Sequence, residues 1–261
     1  METSSIKRDV FMLGGMDLEM RCIKDTLAMA GAAVIDNNPG WGATWDSYKK
    51  EVQECLEKDL LPVGIELGGK IPSGCCLIDH HGAYPARPGS LEQVKNTLGL
   101  PISDYDRLVE ANDCGYIPAM LKECKGMGYT EEVTRKAIHD IRRRDRALSG
   151  VTEKDEEACD KAAVLVDWDG LIVATMDTSR FAPFIDGNWS PTRLYLTRDN
   201  GTGEIQLSGH GAMRYLPVMK RILGANMWSG GGEDGYIGGH LHEAMFRLLA
   251  GYVLCDGQQL K

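Results

Sequence analysis

Four short apolar runs early in this chain each close near an acidic residue. Val10–Leu13 precedes Gly14, Gly15 and Asp17, and Ala32–Ile35 precedes Asp36. Leu61–Ile65 precedes Glu66, and Cys75–Ile78 precedes Asp79. Runs this short and this continuously apolar read as strands of a parallel sheet covered on both faces. Apolar residues at Met16, Met20, Ile23 and Leu27 have helical spacing and predict a helix from Met16 to Ala30. A second helix is expected from about Thr44 to Lys58. Parallel strands joined by helices make an α/β fold, and the acids then fall on its carboxyl edge, where open sheets of this class bind ligands. Only a short loop links Glu66 to the fourth run.

The fourth run ends in Asp79-His80-His81-Gly82. Histidine is the commonest metal ligand, and a neighbouring carboxylate can fix its tautomer. Taken alone, the triplet fits a ligand set and a capped strand end with two solvent-facing imidazoles equally well. The acids at the other strand ends favour the ligand set. Asp17 follows a strand and a double glycine, the placement a metal ligand needs. Asp17 and Glu19 also fit simple helix-start chemistry, because the first turn favours negative charge. Asp113, expected in a glycine-bearing turn after a helix from Ile102 to Ala111, is one more acid of this kind.

Composition narrows the function. The chain has 261 residues and a net charge of −9, which argues against a long electropositive track for duplex nucleic acid. A small anionic substrate held by metal ions is compatible with such a surface. No apolar stretch approaches the roughly 20 residues of a membrane span, and the first residues lack the features of a secretory signal, so a cytoplasmic protein is expected. The eight cysteines include no CxxC pair and read as reduced, small apolar side chains. Arg142-Arg143-Arg144-Asp145-Arg146 spreads around every face of an expected helix from Thr130 to Leu148 and reads as a solvated surface; His139 reads as structural.

The acidic stretch Thr152–Glu157 marks the expected change of domain, giving residues 1–150 and 151–261. Beyond it strands dominate, with hairpins expected around Asp167–Gly170 and Asp199–Gly201. Ser229-Gly230-Gly231-Gly232-Glu233-Asp234-Gly235-Tyr236-Ile237-Gly238-Gly239-His240 precedes a predicted helix from Leu241 to Val253. A glycine-rich loop opening a helix offers bare N–H groups to an anion. Trp41, Trp45 and Trp228 are candidates to stack on a base, though packing is the commoner role.

At these residues the chain resembles the DHH phosphoesterase superfamily, named for the triplet present here as Asp79-His80-His81. The resemblance implies an N-terminal, mostly parallel sheet with flanking helices that binds metal, and a smaller C-terminal α/β domain that binds substrate. It implies a divalent cation, manganese foremost with magnesium or cobalt as alternatives. Asp17, Glu19, Glu66, His80 and Asp113 match the metal-binding positions, with Asp36 a competitor to Glu66. Asp79 would orient the site, and His81 would face the phosphate. Gly230, Gly231, Gly232, Gly238, Gly239 and His240 would hold the rest of the substrate across an interdomain cleft; Gly238-Gly239-His240 is the better match to the family's glycine run before a histidine. Leu13 stands where many members have a histidine, and Glu19 and Glu66 stand where aspartate is usual. The implied function is hydrolysis of a small phosphoester, such as a nucleotide or a short single-stranded oligonucleotide. The departures leave a nucleotide-binding protein without hydrolysis as an alternative, and an inorganic pyrophosphatase as a further one. A homodimer is compatible with this reading.

Overall fold

The computed structural model describes residues 8–40, 42–81, 87–168, 170–230 and 234–259. The chain divides into two compact units, Met1–Ser149 and Gly150–Lys261.

The first unit is the mixed α/β arrangement that the strand-and-helix alternation predicts. It contains β1 (Asp9–Leu13), α1 (Leu18–Met29), β2 (Ala33–Ile35), a 3₁₀ turn (Trp45–Tyr48), α2 (Lys49–Glu57), β3 (Leu61–Ile65), β4 (Cys76–Ile78), α3 (Ser90–Leu98), α4 (Asp104–Gly126) and α5 (Glu131–Leu148). The four strands run parallel in the order β2-β1-β3-β4. Every residue of β1 is buried, as a central parallel strand covered on both faces should be. On one face Val10 and Met12 pack with Trp45, Tyr48, Val52 and Leu67. α1 buries Ile23 and Leu27 and packs against α3, α4 and α5. β4 departs from the expectation of a fully buried strand. It lies at the sheet edge with β3 as its one neighbour, so Cys76 is exposed.

Register places the site. Leu13 pairs with Ile65, and Ile65 with Ile78. The residues that follow, Gly14, Glu66 and Asp79, therefore leave the sheet along one edge. α4 brings Asp113 as part of a helix, not of a turn as the sequence suggests. Its turns are non-helical only at Gly115 and Tyr116, and it resumes through Pro118 to Gly126. Proline is tolerated in a helix's first turn, where its missing N–H has no partner to lose.

The second unit contains α6 (Glu153–Asp160), β5 (Ala163–Trp168), β6 (Leu171–Met176), α7 (Ala182–Gly187), β7 (Leu194–Asp199), β8 (Glu204–Gly209), α8 (Leu216–Leu223), β9 (Trp228–Gly230), β10 (Tyr236–His240) and α9 (Glu243–Gln259). Its sheet has the order β5-β6-β7-β8-β10-β9, with β6 and β7 parallel and the other neighbours antiparallel. Leu171, Val173, Leu196, Leu207, Ile237 and Phe246 form the centre of its core. Both expected hairpins, β5–β6 and β7–β8, are present. Among the described residues no helix is long and apolar enough to cross a membrane.

The glycine-rich stretch corrects the sequence reading. Gly238 and Gly239 lie within β10, paired with Gln206 and Ile205 of β8, and His240 ends that strand. Their backbone belongs to the ladder and opens no helix; α9 starts only at Glu243. Glycine is needed here for a packing reason. A Cβ on Gly238 would stand 2.1 Å from Trp228 Nε1, and one on Gly239 would stand 2.8 Å from Leu223. Gly230 ends β9, and Gly231 and Gly232 lie outside the described residues.

Candidate metal centre

The first ligand-bearing turn depends on two glycines. A Cβ on Gly14 would stand 2.5 Å from the Ile65 carbonyl oxygen and 2.6 Å from that of Glu66. Only glycine lets β1 and β3 approach so closely at their ends. Gly15 has φ +81°, and the position its Cβ would take lies 3.7 Å from Asp17 Oδ2 and 3.9 Å from Glu66 Oε2. Asp17 is the N-cap of α1: its Oδ1 accepts the Met20 N–H at 2.8 Å. Glu66 has φ +53°, a left-handed conformation uncommon outside glycine, and its N–H donates to the Ile78 carbonyl at 2.9 Å. A residue held in that region at the edge of a sheet marks a functional site more often than a random position does.

His80 is the hub. Its Nε2 lies 2.9 Å from Asp113 Oδ2, 3.4 Å from Glu66 Oε1 and 3.4 Å from Glu19 Oε2. His81 Nε2 lies 3.6 Å from the same oxygens of Glu66 and Asp113. The two rings are tilted against each other with centroids 4.0 Å apart. Ligand atoms of Glu66, His80, His81 and Asp113 all fall within 4.8 Å of one another. Glu19 reaches them from the first turn of α1, and its Oε1 accepts the Leu91 N–H at 2.9 Å at the start of α3.

Four atoms of this group, Glu19 Oε2, Glu66 Oε1, His80 Nε2 and Asp113 Oδ2, are buried without a hydrogen-bond partner. Buried polar atoms are nearly always satisfied, and leaving one bare costs about 1–3 kcal/mol. Four bare atoms facing one another would be expensive unless a cation sits among them. Oxygen donors with an imidazole suit a hard or borderline divalent ion such as Mn²⁺ or Mg²⁺, and no thiolate lies within the ligand set to favour structural zinc.

The electrostatics agree. Burial pushes the Asp17 carboxyl up to about 7, and the charges of Glu66, Asp113 and Asp145 add to that rise. Burial likewise raises Glu19, helped by Asp113 and Glu66. Burial also opposes charge on Glu66, but the His80 and His81 imidazoles together outweigh it and hold this carboxyl well below the usual range. Glu66 touches two imidazoles and Glu19 one, which is why these neighbours move in opposite directions. Burial disfavours the His80 imidazolium, but Asp113, Cys114, Glu19 and Glu66 overcome that and raise it. Without a cation, then, protons stand in for positive charge.

The chain is similar over most of its length to several solved structures. One is the exonuclease RecJ bound to manganese, 14% identical, covering 93% of this chain and 88% of that one with a TM-score of 0.39. Another is the pGpG-specific phosphodiesterase PggH from Vibrio cholerae, 11% identical, covering 97% and 98% with a TM-score of 0.42. A third is the DHH domain of a member of the s1p family of ribosomal proteins, 14% identical, covering 95% and 87% with a TM-score of 0.49. No model of a known protein family and no curated protein matches the chain.

The remaining sequence candidates are placed as follows. Asp79 Oδ1 accepts the His81 N–H at 2.8 Å, so its carboxylate fixes the turn that carries both histidines and bonds to neither ring. Asp36 pairs with Lys24 at 2.6 Å and accepts the Asn38 N–H, apart from the cluster. Leu13 is buried, and its carbonyl accepts the Tyr48 hydroxyl. Trp45 is buried against Gly64 and cannot stack on a base; Trp228 covers Gly238 and meets His240 edge-on; Trp41 lies outside the described residues.

Arg143 and Arg144 are exposed, as a solvated face requires, but Arg142 departs from that reading. Arg142 is only 6% exposed. Its Nη1 donates to Asn112 Oδ1 and Asp145 Oδ2, both at 2.8 Å, and its guanidinium stacks on Tyr116 at 4.3 Å. Asp145 Oδ1 also accepts the Leu18 N–H at 3.2 Å. One buried ion pair on α5 thus ties the start of α1, beside Asp17, to the break in α4, beside Asp113. Sequence reasoning missed this pair and Cys114. The signal for Arg142 was its spacing four residues after Ile138, which puts the two on one face of α5 and which a run of consecutive charges conceals.

Proposed function

We propose that the first unit binds divalent cation, manganese foremost with magnesium or cobalt as alternatives, and hydrolyses a small phosphoester. The observation that carries this reading is the convergence of three buried carboxylate oxygens, from Glu19, Glu66 and Asp113, on one buried imidazole nitrogen. Asp17, Glu19, Glu66, His80 and Asp113 would hold the cation. Glu66 would offer its Oε1, which lies 3.4 Å from His80 Nε2. A bound divalent ion would polarise a phosphoryl oxygen and make water a stronger nucleophile at neutral pH.

The chain's own groups then have separable tasks. His81 is half-exposed at the open side of the cluster, and Glu66 beside it is the main cause that raises its pKa. Its ring is placed to donate a hydrogen bond to a phosphoryl oxygen. Asp79 holds the backbone of that histidine in place. His240, exposed at the end of β10, is the remaining C-terminal candidate for substrate contact. The substrate class is a nucleotide or short single-stranded oligonucleotide, a choice that the net charge of −9 favours over a long duplex.

A second reading is favoured by Leu13, an apolar residue buried at the end of β1 where it supplies no ligand. On that reading the unit binds a nucleotide and does not turn it over. Both are tested by incubating the purified chain with Mn²⁺, Mg²⁺ or Co²⁺ and a panel of dinucleotides, cyclic dinucleotides, nucleoside phosphates and pyrophosphate. Cation-dependent hydrolysis that falls more than about a hundredfold in His80→Ala supports the enzyme, since losing a ligand should exceed the ten- to hundredfold effect of losing its support. Calorimetric nucleotide binding with no turnover selects the second reading. No turnover, no binding and no difference between wild type and His80→Ala would defeat both.

A further inference from the structure

Only one of the two ring nitrogens of His80 meets the acids. Nε2 faces Asp113, Glu19 and Glu66, whereas Nδ1 lies 3.5 Å from Cys114 Sγ. Asp113 and Cys114 are consecutive, at the last helical positions of α4 before Gly115 and Tyr116 break it. One helix end therefore grips a single imidazole at both nitrogens, the carboxylate on one side and the sulfur on the other.

This arrangement settles the proton's place whenever Nε2 ligates a cation. A ligating nitrogen needs its lone pair, so the ring proton must sit on Nδ1 and needs an acceptor there. Carboxylates, carbonyls and waters usually fill that role, and sulfur is a weaker acceptor than any of them. The geometry points to Cys114 as a positioning residue: its sulfur accepts the Nδ1–H of His80, selects that tautomer and aims Nε2 at the three acids. The inference rests on the cation-binding reading above and adds to it a residue outside the ligand set. It also means that this chain holds its central ligand by a deliberately soft contact on an exposed side chain.

The test compares the full chain with Cys114→Ala and Cys114→Ser. Position 114 is exposed, so both variants fold, and unchanged melting in excess chelator checks this. Two readouts are taken: the Mn²⁺ dissociation constant by calorimetry, and the tautomer of His80 by imidazole ¹⁵N shifts in the Mg²⁺-loaded chain. Wild type should show the proton on Nδ1. Cys114→Ala should weaken Mn²⁺ binding about tenfold or more and lose the uniform tautomer. Cys114→Ser, which restores an acceptor, should recover most of both. Wild-type affinity and an unaltered tautomer in Cys114→Ala would overturn the role of Cys114 while leaving the cation site standing. Absence of Mn²⁺ and Mg²⁺ binding to wild type would overturn the cation site and this inference with it.

Discussion

Asp17→Asn should make the cation-free protein more stable while weakening its hold on the cation. Asparagine is as good an N-cap as aspartate, so the bond to the Met20 N–H survives and the charge alone is removed. In the folded chain burial, reinforced by Glu66, Asp113 and Asp145, moves the Asp17 carboxyl from 3.8 to about 7. A raised acid keeps its proton in the folded state and loses it in the unfolded one between these two values. Its effect is therefore nil below about pH 4 and grows as pH rises toward 7, where the folded chain must finally bury the charge. At about 1.4 kcal/mol per pH unit, the interval from 3.8 to about 7 corresponds to roughly 4 kcal/mol, and on the order of 2–4 kcal/mol is expected once the site relaxes. At about 2–4 °C per kcal/mol for a unit of this size, Asp17→Asn should melt roughly 5–15 °C above wild type at pH 8 in excess chelator. The gap should narrow as pH falls toward 4. Saturating Mn²⁺ should close most of the gap, since a cation at a hundred times its dissociation constant adds about 2.7 kcal/mol to the form that binds it, close to the roughly 2–4 kcal/mol that separates the two in chelator. Scanning calorimetry of both proteins at pH 5 and 8, with and without Mn²⁺, reads all four cases. A variant less stable than wild type in chelator at pH 8, or a gap that ignores pH, would refute the argument that these acids are held together at a cost.

Two other substitutions probe how the site is held. Gly14→Ala forces a Cβ into carbonyl oxygens 2.5 and 2.6 Å away, so chemical denaturation should show a loss of about 1–3 kcal/mol and calorimetry a weaker Mn²⁺ site, because Glu66 must shift. Arg142→Met removes the cation that faces the part-buried Asp145 carboxylate and stacks on the Tyr116 ring; unfolding should be easier by about 3–5 kcal/mol, and Arg142→Met with Asp145→Leu should recover much of that stability but not the Mn²⁺ affinity.

What the sequence made legible, and what it hid, follows from how far each signal reaches along the chain. The strands were legible because continuous apolar runs bounded by glycine and acid have one economical fate, burial in a parallel sheet. The register that lines up Leu13, Ile65 and Ile78 then delivers Glu66 and the histidines to one edge without further information. Asp113 was found as an acid but misplaced in a turn, because Gly115 and Pro118 look like helix breakers. The helix does break there, at Gly115 and Tyr116, but two residues after Asp113, and a second helical stretch resumes through Pro118, with the Arg142 guanidinium stacked on Tyr116. That support is a tertiary fact: nothing within a few positions of Arg142 says that its partners are Asn112 and Tyr116. The glycines of β10 failed for the same reason. Gly238 and Gly239 look like a flexible anion cradle until Trp228 and Leu223 are seen pressed on the strand, and then they are the residues that let a sheet lie flat beneath large side chains. Glycine marks close approach, and the sequence alone leaves open whether what approaches is a phosphate or an indole. The acids are less ambiguous once folded: water would satisfy them at the surface, so the burial of oxygens of Glu19, Glu66 and Asp113 around one imidazole favours positive charge among them, and their proximity raises His80 accordingly.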